Sequence, residues 1–178
     1  MKKVLIISTS LRTSSNSEIM AQRFADGAKE AGHDVEFVSL KGKNIAFCKG
    51  CLACQKLGRC IIDDDANAIA DLIAASDVIV WASPIYYYEM AGQMKTLIDR
   101  VNSLYIRENR FKEVYFLSVA AEEEEETPQR ALNGLQGWID CFDGVSLSGH
   151  LFIGGLNGPR DILNSPKLIE AYLLGKSI

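Results

Sequence analysis

The sequence predicts an α/β fold, a doubly wound parallel sheet of five strands in the order 2-1-3-4-5 with helices on both faces. Three observations lead there. Short apolar runs alternate with stretches of helical periodicity. The runs are apolar at consecutive positions, as in Val4-Leu5-Ile6-Ile7, which suits strands covered on both sides. The chain has 178 residues, of which 48% are hydrophobic and 24% charged, enough for one domain that buries its own core without disulfide staples. Right-handed crossovers leave few strand orders, and 2-1-3-4-5 is the simplest for five strands.

Each element has its own signal. Lys3 to Ser8 is the first strand. A polar stretch, Ser8 to Ser17, follows, and Ser17 is placed to cap a helix running to Ala31 with Met20, Phe24 and Ala28 inward and Gly32 as its stop. Val35 to Leu40 is the second strand. Residues 42–62 are irregular. Asp63 or Asp64 caps a helix to Ala75 with Ile69, Leu72 and Ile73 inward. Asp77 to Ser83 is the third strand, Pro84 to Ala91 a loop, and Gln93 to Leu104 a helix burying Leu97, Ile98 and Val101. Glu113 to Ala121 is the fourth strand. Thr127-Pro128 opens a helix to about Cys141, with Pro128 in its first turn. Val145 to Ile153 is the fifth strand. Ser165-Pro166 opens a closing helix with Leu168, Ile169, Tyr172 and Leu173 inward. The whole, 1–178, reads as one domain with a cysteine-rich loop at 42–62 and a helical tail at 156–178.

Net charge is −4, but Glu122 to Glu126 alone carry five negative charges, so the remaining chain is close to neutral. No basic surface for nucleic acid is expected. The opening MKKVLIISTS has too short an apolar run and no small-residue cleavage site for a secretory signal, and no stretch reaches the ~18 apolar residues of a membrane span. The expected location is the cytoplasm, with no membrane partner.

In such a sheet ligands bind at the carboxyl ends of the strands beside the switch point. That singles out the loops after Ser8, Ser83 and Ala120. The first reads S-T-S-L-R-T-S-S-N-S. It has neither the G-x-G-x-x-G of a dinucleotide fold nor the G-K-[ST] of a Walker loop. It offers hydroxyls, an Asn and an Arg at a helix N-terminus, where free N–H groups and the helix dipole favour an anion. Arg12 can add a charge-assisted bond to a phosphate. The second loop, Ser83-Pro84-Ile85-Tyr86-Tyr87-Tyr88, has aromatic and apolar groups suited to covering a planar ring.

The stretches S-x-R-x-x-S-N-S, residues 10–17, and S-P-I-Y-Y-Y-E-M-A-G-Q-M-K-T-L-I-D-R, residues 83–100, resemble the NADPH-dependent FMN reductase and iron–sulfur flavoprotein families of the flavodoxin-like superfamily. The likeness covers about residues 3–155. It implies a flavodoxin-like domain in which Ser10, Arg12, Ser15, Asn16 and Ser17 hold the phosphate of FMN. By the same likeness Pro84, Ile85, Tyr86 and Tyr87 line the ring. Gln93, Lys95, Asp99 and Arg100 match the family's helix without any need to touch flavin. Relatives place a Thr-Gly-Gly-like segment after the fourth strand; here Ala120 and Ala121 stand in its place, followed by the Glu run. Carboxylates near a flavin would lower its potential, whereas a solvated surface run would not. The resemblance also implies a homodimer or homotetramer.

Of the five cysteines, four form C-x2-C-x2-C-x5-C: Cys48, Cys51, Cys54 and Cys60. Three at x2 spacing followed by a fourth suit a cubane, though the last gap is longer than in bacterial ferredoxins and no Pro follows. The compact motif is similar to that of iron–sulfur flavoproteins, which implies a [4Fe–4S] cluster. Zinc, a labile disulfide and free thiols stay open as alternatives. Cys141, in the amphipathic stretch W-I-D-C-F, reads as a buried thiol. His33 and His150 have no evident partners, and no catalytic side chain is assigned, as suits a flavoenzyme whose cofactor carries the chemistry.

The expected function is an FMN-dependent oxidoreductase taking electrons from NADH or NADPH. It would pass them to a small acceptor or to the cysteine-bound cluster, with Tyr86 and Tyr87 shaping the nicotinamide site. The alternatives are an electron carrier paired with a ferredoxin-like protein and a thiol-based redox sensor.

Overall fold

The computed structural model describes residues 1–178. Strand β1 (Lys3–Ser8) leads to α1 (Asn16–Glu30) and β2 (Asp34–Ser39). A one-turn helix α2 (Cys54–Leu57) interrupts the cysteine-rich stretch before α3 (Asp65–Ala74) and β3 (Val78–Tyr86). A two-residue strand β4 (Glu89–Met90), α4 (Gly92–Arg100) and a 3-10 turn (Asn102–Ile106) precede β5 (Glu113–Val119). Then come α5 (Gln129–Ile139), β6 (Ser146–Ile153), a 3-10 turn (Asp161–Asn164) and α6 (Leu168–Lys176). The parallel strands stand in the order β2-β1-β3-β5-β6, with β4 antiparallel on β3. Without β4 this is the expected 2-1-3-4-5. No helix is long and apolar enough to cross a membrane.

Consecutive apolar residues serve both faces of the sheet. Val4, Ile6, Val78 and Val80 meet α1 and α6, while Leu5, Ile7, Ile79 and Trp81 meet α3, α4 and α5. Trp81 packs edge-on to Trp138 at 5.9 Å, and Phe111 stacks on Trp138 at 5.7 Å.

Four local expectations are corrected. Ser15, not Ser17, caps α1, its side chain accepting from the Glu18 N–H at 3.2 Å. The Pro84–Ala91 stretch is no open loop. β3 runs through Tyr86 and turns at Tyr87 and Tyr88 into β4, because Ser83 Oγ accepts from the Ala91 N–H at 3.0 Å and closes the hairpin. Tyr87 and Tyr88 have φ of +50° and +66°, a turn that favours Asn-Gly and costs a non-Gly pair of order 1 kcal/mol or more each. Cys141 lies beyond the end of α5 and is exposed; Trp138 and Ile139 take up the buried face. Finally, α6 buries Ala171 and Gly175, whereas Ile169 and Leu173 are half-exposed. Small residues win that face because α1 and α6 approach backbone to backbone: a Cβ on Gly27 would sit in the Tyr172 carbonyl, and one on Gly175 in that of Phe24.

Both histidines are placed structurally. His33 Nδ1 accepts from the Lys2 N–H at 3.1 Å and its Nε2 lies 3.0 Å from the Ile178 O. His150 is exposed on the edge strand β6.

Candidate cofactor pocket and cysteine loop

At the carboxyl ends of β1, β3 and β5 a pocket of ≈150 Å³ gathers residues far apart in sequence: Ser10, Arg12, Ser15, Asn16 and Ser17 from the first loop, Pro84 and Tyr86 from the hairpin, and Val119, Ala120 and Ala121 from the third loop. Ile85 and Tyr87 are the proposed ring residues that do not line it. Ile85 faces the core, and Tyr87 stands at the hairpin tip, 96% exposed. Leu156 and Asn157, which carry no signal of their own in the sequence, complete the lining. They arrive because Gly154 and Gly155 run directly against Glu122 and Glu123, and because the Leu156 N–H donates to Ala120 O at 2.9 Å. Only the tertiary fold brings that loop to the site.

The first loop is built to receive an anion. Ser10, Ser15, Asn16 and Ser17 are buried, yet the backbone N–H groups of Ser15, Asn16 and Ser17 meet no protein acceptor. They open the first turn of α1, where the dipole adds positive potential. Ser14, with φ of +53°, turns the backbone so that successive amides face one way, the geometry of an anion nest. Arg12 pairs with no carboxylate, and Lys41 stands beside the loop through a 2.6 Å bond to Thr13 Oγ1. One expected contributor is otherwise engaged. The Asn16 amide donates to Gly158 O at 2.8 Å and accepts from the Ile162 N–H at 3.3 Å, so its side chain ties down the C-terminal loop and only its backbone faces the pocket. The small side chains of Ala120 and Ala121 leave room for a flat ring beside Pro84 and Tyr86. Hydroxyls, free amides and one unpaired Arg next to such a slot fit a phosphate carrying an aromatic ring. A cavity of ≈430 Å³ lined by Phe111, Lys112 and Phe142 lies at the amino ends of the strands, away from the switch point.

The four clustered cysteines border a second, small cavity of ≈30 Å³ with Asp99, Arg100 and Asn102. Cys48 and Cys51 are exposed; Cys54 and Cys60 are half-buried. No group of three or more His, Cys, Asp or Glu side chains is drawn together closely enough to hold a metal ion. The donor set nonetheless suits a thiolate-bound group, since N–H donors meet the sulfurs: Gly50 N on Cys48 Sγ and Asn102 Nδ2 on Cys54 Sγ, both at 3.4 Å.

Arg100, foreseen only as part of a matching helix, is the key to this loop. Its side chain is 0% exposed and that of its partner Asp64 is 3% exposed. The guanidinium grips Asp64 at 2.6 and 2.8 Å and donates to Ala46 O at 2.6 Å and Ile62 O at 3.3 Å. It thereby pins both ends of the cysteine stretch to α4. Burial pushes the Asp64 carboxyl up, but hydrogen bonds from Arg100 and from the Ala46 and Ala66 amides outweigh it and hold the group below its ordinary value. A depressed carboxyl contributes stability that is complete above its unfolded value, about 3.9, and is lost as pH falls through the lower folded value. Local protection of amides 44–62 in hydrogen exchange is therefore expected to be flat from neutrality to about pH 4 and to fall below it. Asp64→Asn should remove that acid step.

Comparisons with known proteins find a family and several relatives. The family model described as NADPH-dependent FMN reductase matches residues 2–155. An iron–sulfur flavoprotein of Archaeoglobus fulgidus is 37% identical over 101 residues, 57% of this chain and 46% of that protein. The chain spans about half the length of this and two other iron–sulfur flavoproteins that it matches. YwqN of Bacillus subtilis, which carries the name of an NAD(P)H-dependent FMN-containing oxidoreductase, is 25% identical over 95% of this chain and 93% of its own. Among solved structures, the NAD(P)H:quinone oxidoreductase of Methanothermobacter marburgensis has the same fold, with a TM-score of 0.78 at 18% identity, covering 99% of this chain and 95% of that one.

Proposed function

The chain belongs to the NADPH-dependent FMN reductase family, and on that premise we propose that it is an FMN-dependent oxidoreductase drawing electrons from NADH or NADPH. The observation that carries the reading is the pocket at the ends of β1, β3 and β5, where a nest of free amides and Arg12 adjoins the Pro84–Tyr86 and Ala120–Ala121 walls. Ser10, Ser15 and Ser17 would hold the phosphate with the loop amides, and Arg12 would add a charge-assisted bond to it. Pro84, Tyr86, Ala120, Ala121 and Leu156 are the pocket walls that would flank the ring. Bound FMN supplies hydride acceptance and return, the chemistry no side chain here provides. The chain's part is to fix the ring, keep water from one side of it and leave the other open to a nicotinamide beside the exposed Tyr hairpin.

Cys48, Cys51, Cys54 and Cys60 are the residues that would hold a [4Fe–4S] cluster, which would supply a one-electron acceptor; without it the electrons would pass to a small acceptor. Tyr86, Tyr87 and Tyr88 are all about half-exposed or more, and a second copy of the chain covering that hairpin tip would complete the nicotinamide site. Light scattering of the FMN-loaded protein tests this: the reading expects a dimer or tetramer.

Arg12→Ala tests the phosphate site. A hydrogen bond to a charged group contributes about 1.5–3 kcal/mol, so FMN is expected to bind roughly 10- to 100-fold more weakly, while riboflavin, which lacks the phosphate, is unaffected. Equal affinity of wild type and variant for FMN would overturn the assignment. Anaerobic addition of NADPH or NADH to the yellow protein then separates the activities. Fast bleaching supports the reductase, and reduction only by a ferredoxin-like protein supports a carrier.

A further inference from the structure

We propose that Asn102, just past the end of α4, donates to the Cys54 sulfur, that Arg100 offers its free buried Nε to the same cavity, and that the two are the positioning residues that set the potential of the group the cysteines hold. The inference rests on the cluster reading above and assigns roles to two residues outside the cysteine motif.

Three observations carry it. First, Asn102 Nδ2 already lies 3.4 Å from Cys54 Sγ, the more sheltered sulfur of the first three. Second, Arg100 Nε is buried and has no hydrogen-bond partner in a residue that otherwise makes four bonds. An unpaired buried donor on a cation is costly, and this one belongs to a side chain that borders the cysteine cavity. Third, Cys60 is fixed by its own backbone, its N–H donating to Asn67 Oδ1 at 3.0 Å and its carbonyl accepting from Asn67 Nδ2 at 3.1 Å. The inner pair of cysteines thus rests against α3 and the 3-10 turn that follows α4. The outer pair, Cys48 and Cys51, sits on exposed chain without regular structure.

A cavity of ≈30 Å³ is about one water's share of volume. A larger group would require the exposed Cys48–Leu52 stretch to move outward, while Cys54 and Cys60 keep the contacts they already make to Asn102 and Asn67. N–H donors to thiolate ligands favour the reduced, more negative state, and such bonds are among the determinants of cluster potential.

The test is anaerobic reconstitution of the full chain with FMN, ferrous iron and sulfide, followed by redox titration of the cluster by its paramagnetic resonance signal. Asn102→Ala leaves the Arg100–Asp64 pair intact, so the loop stays folded. Its cluster is expected to be about tenfold harder to reduce, a fall of ~59 mV for one electron, with FMN affinity unchanged. Arg100→Lys keeps the charge but lacks Nε and should shift the potential the same way; if it does not fold, Asn102→Ala decides alone. Asn102→Gln, which retains the amide donor, should recover part of the shift. An unchanged potential in Asn102→Ala would overturn the proposal. So would a wild-type protein that binds FMN but takes up no iron and sulfide, a result that leaves the flavin reading standing.

Discussion

Arg100→Ala is expected to destabilise the protein by about 3–5 kcal/mol, the cost of leaving one member of a buried ion pair without its partner. The variant strands Asp64 at 3% exposure and frees the Ala46 and Ile62 carbonyls at the two ends of the cysteine stretch. The loss should appear as a lower urea midpoint with an unchanged slope. Arg100→Lys should recover only part of it, because an ammonium cannot make the two-pronged contact with Asp64 while also reaching both carbonyls. Removing both charges with Asp64→Leu and Arg100→Met should cost less than Arg100→Ala alone, since no charge is then buried unpaired. A loss below about 1 kcal/mol for Arg100→Ala, the range of exposed pairs, would mean that the pair does not organise the loop.

The second large effect is at the α1–α6 contact. Gly175→Ala should lose about 1–3 kcal/mol, and Gly27→Ala a similar amount, although alanine is the better helix former by about 1 kcal/mol. The new Cβ atoms meet backbone, which cannot rotate away: beyond the carbonyl clashes, the Cβ on Gly27 would lie 2.8 Å from Lys176 N, and that on Gly175 2.8 Å from the Phe24 carbonyl carbon. Either substitution must push the helices apart. Once one has done so the second meets less resistance, and the double variant should lose less than the sum. Gly137→Ala is the control. Gly137 is exposed on α5 with nothing within 4 Å of an added Cβ, so it should be neutral or gain up to about 1 kcal/mol. Thermal or urea unfolding of the three variants measures the contrast.

These two sites also show where sequence reading ends. The strands were legible because their signal is local: runs such as Val4–Ile7 and Val78–Trp81 are apolar on both faces, and burial on both faces follows. The loop after β1 was legible because a hydroxyl-rich turn before a helix has a fixed physical consequence, free amides pointing at one spot. The inward face of α6 was not. Hydrophobicity places Ile169 and Leu173 inside, but the contact is made by Ala171 and Gly175 because the helices approach too closely for larger side chains. Asn16 carries the same lesson at the pocket: its type suits a phosphate ligand, yet its side chain is committed to Gly158 and Ile162. Leu156 and Asn157 had no signal of their own, since nothing in their identity tells that Gly154 lets the chain lie against Glu122.

By itself, then, the sequence determined the alternation of elements, the order of the parallel strands, and the three loops that converge at the switch point, all consequences of local periodicity and of the handedness of crossovers. The tertiary structure alone decided which side chains within those loops are free to meet a ligand. It also turned Arg100 from one more polar position on an amphipathic helix into the buried clasp of the cysteine loop, because only packing from 36 residues away supplies the carboxylate that makes burying its charge tolerable.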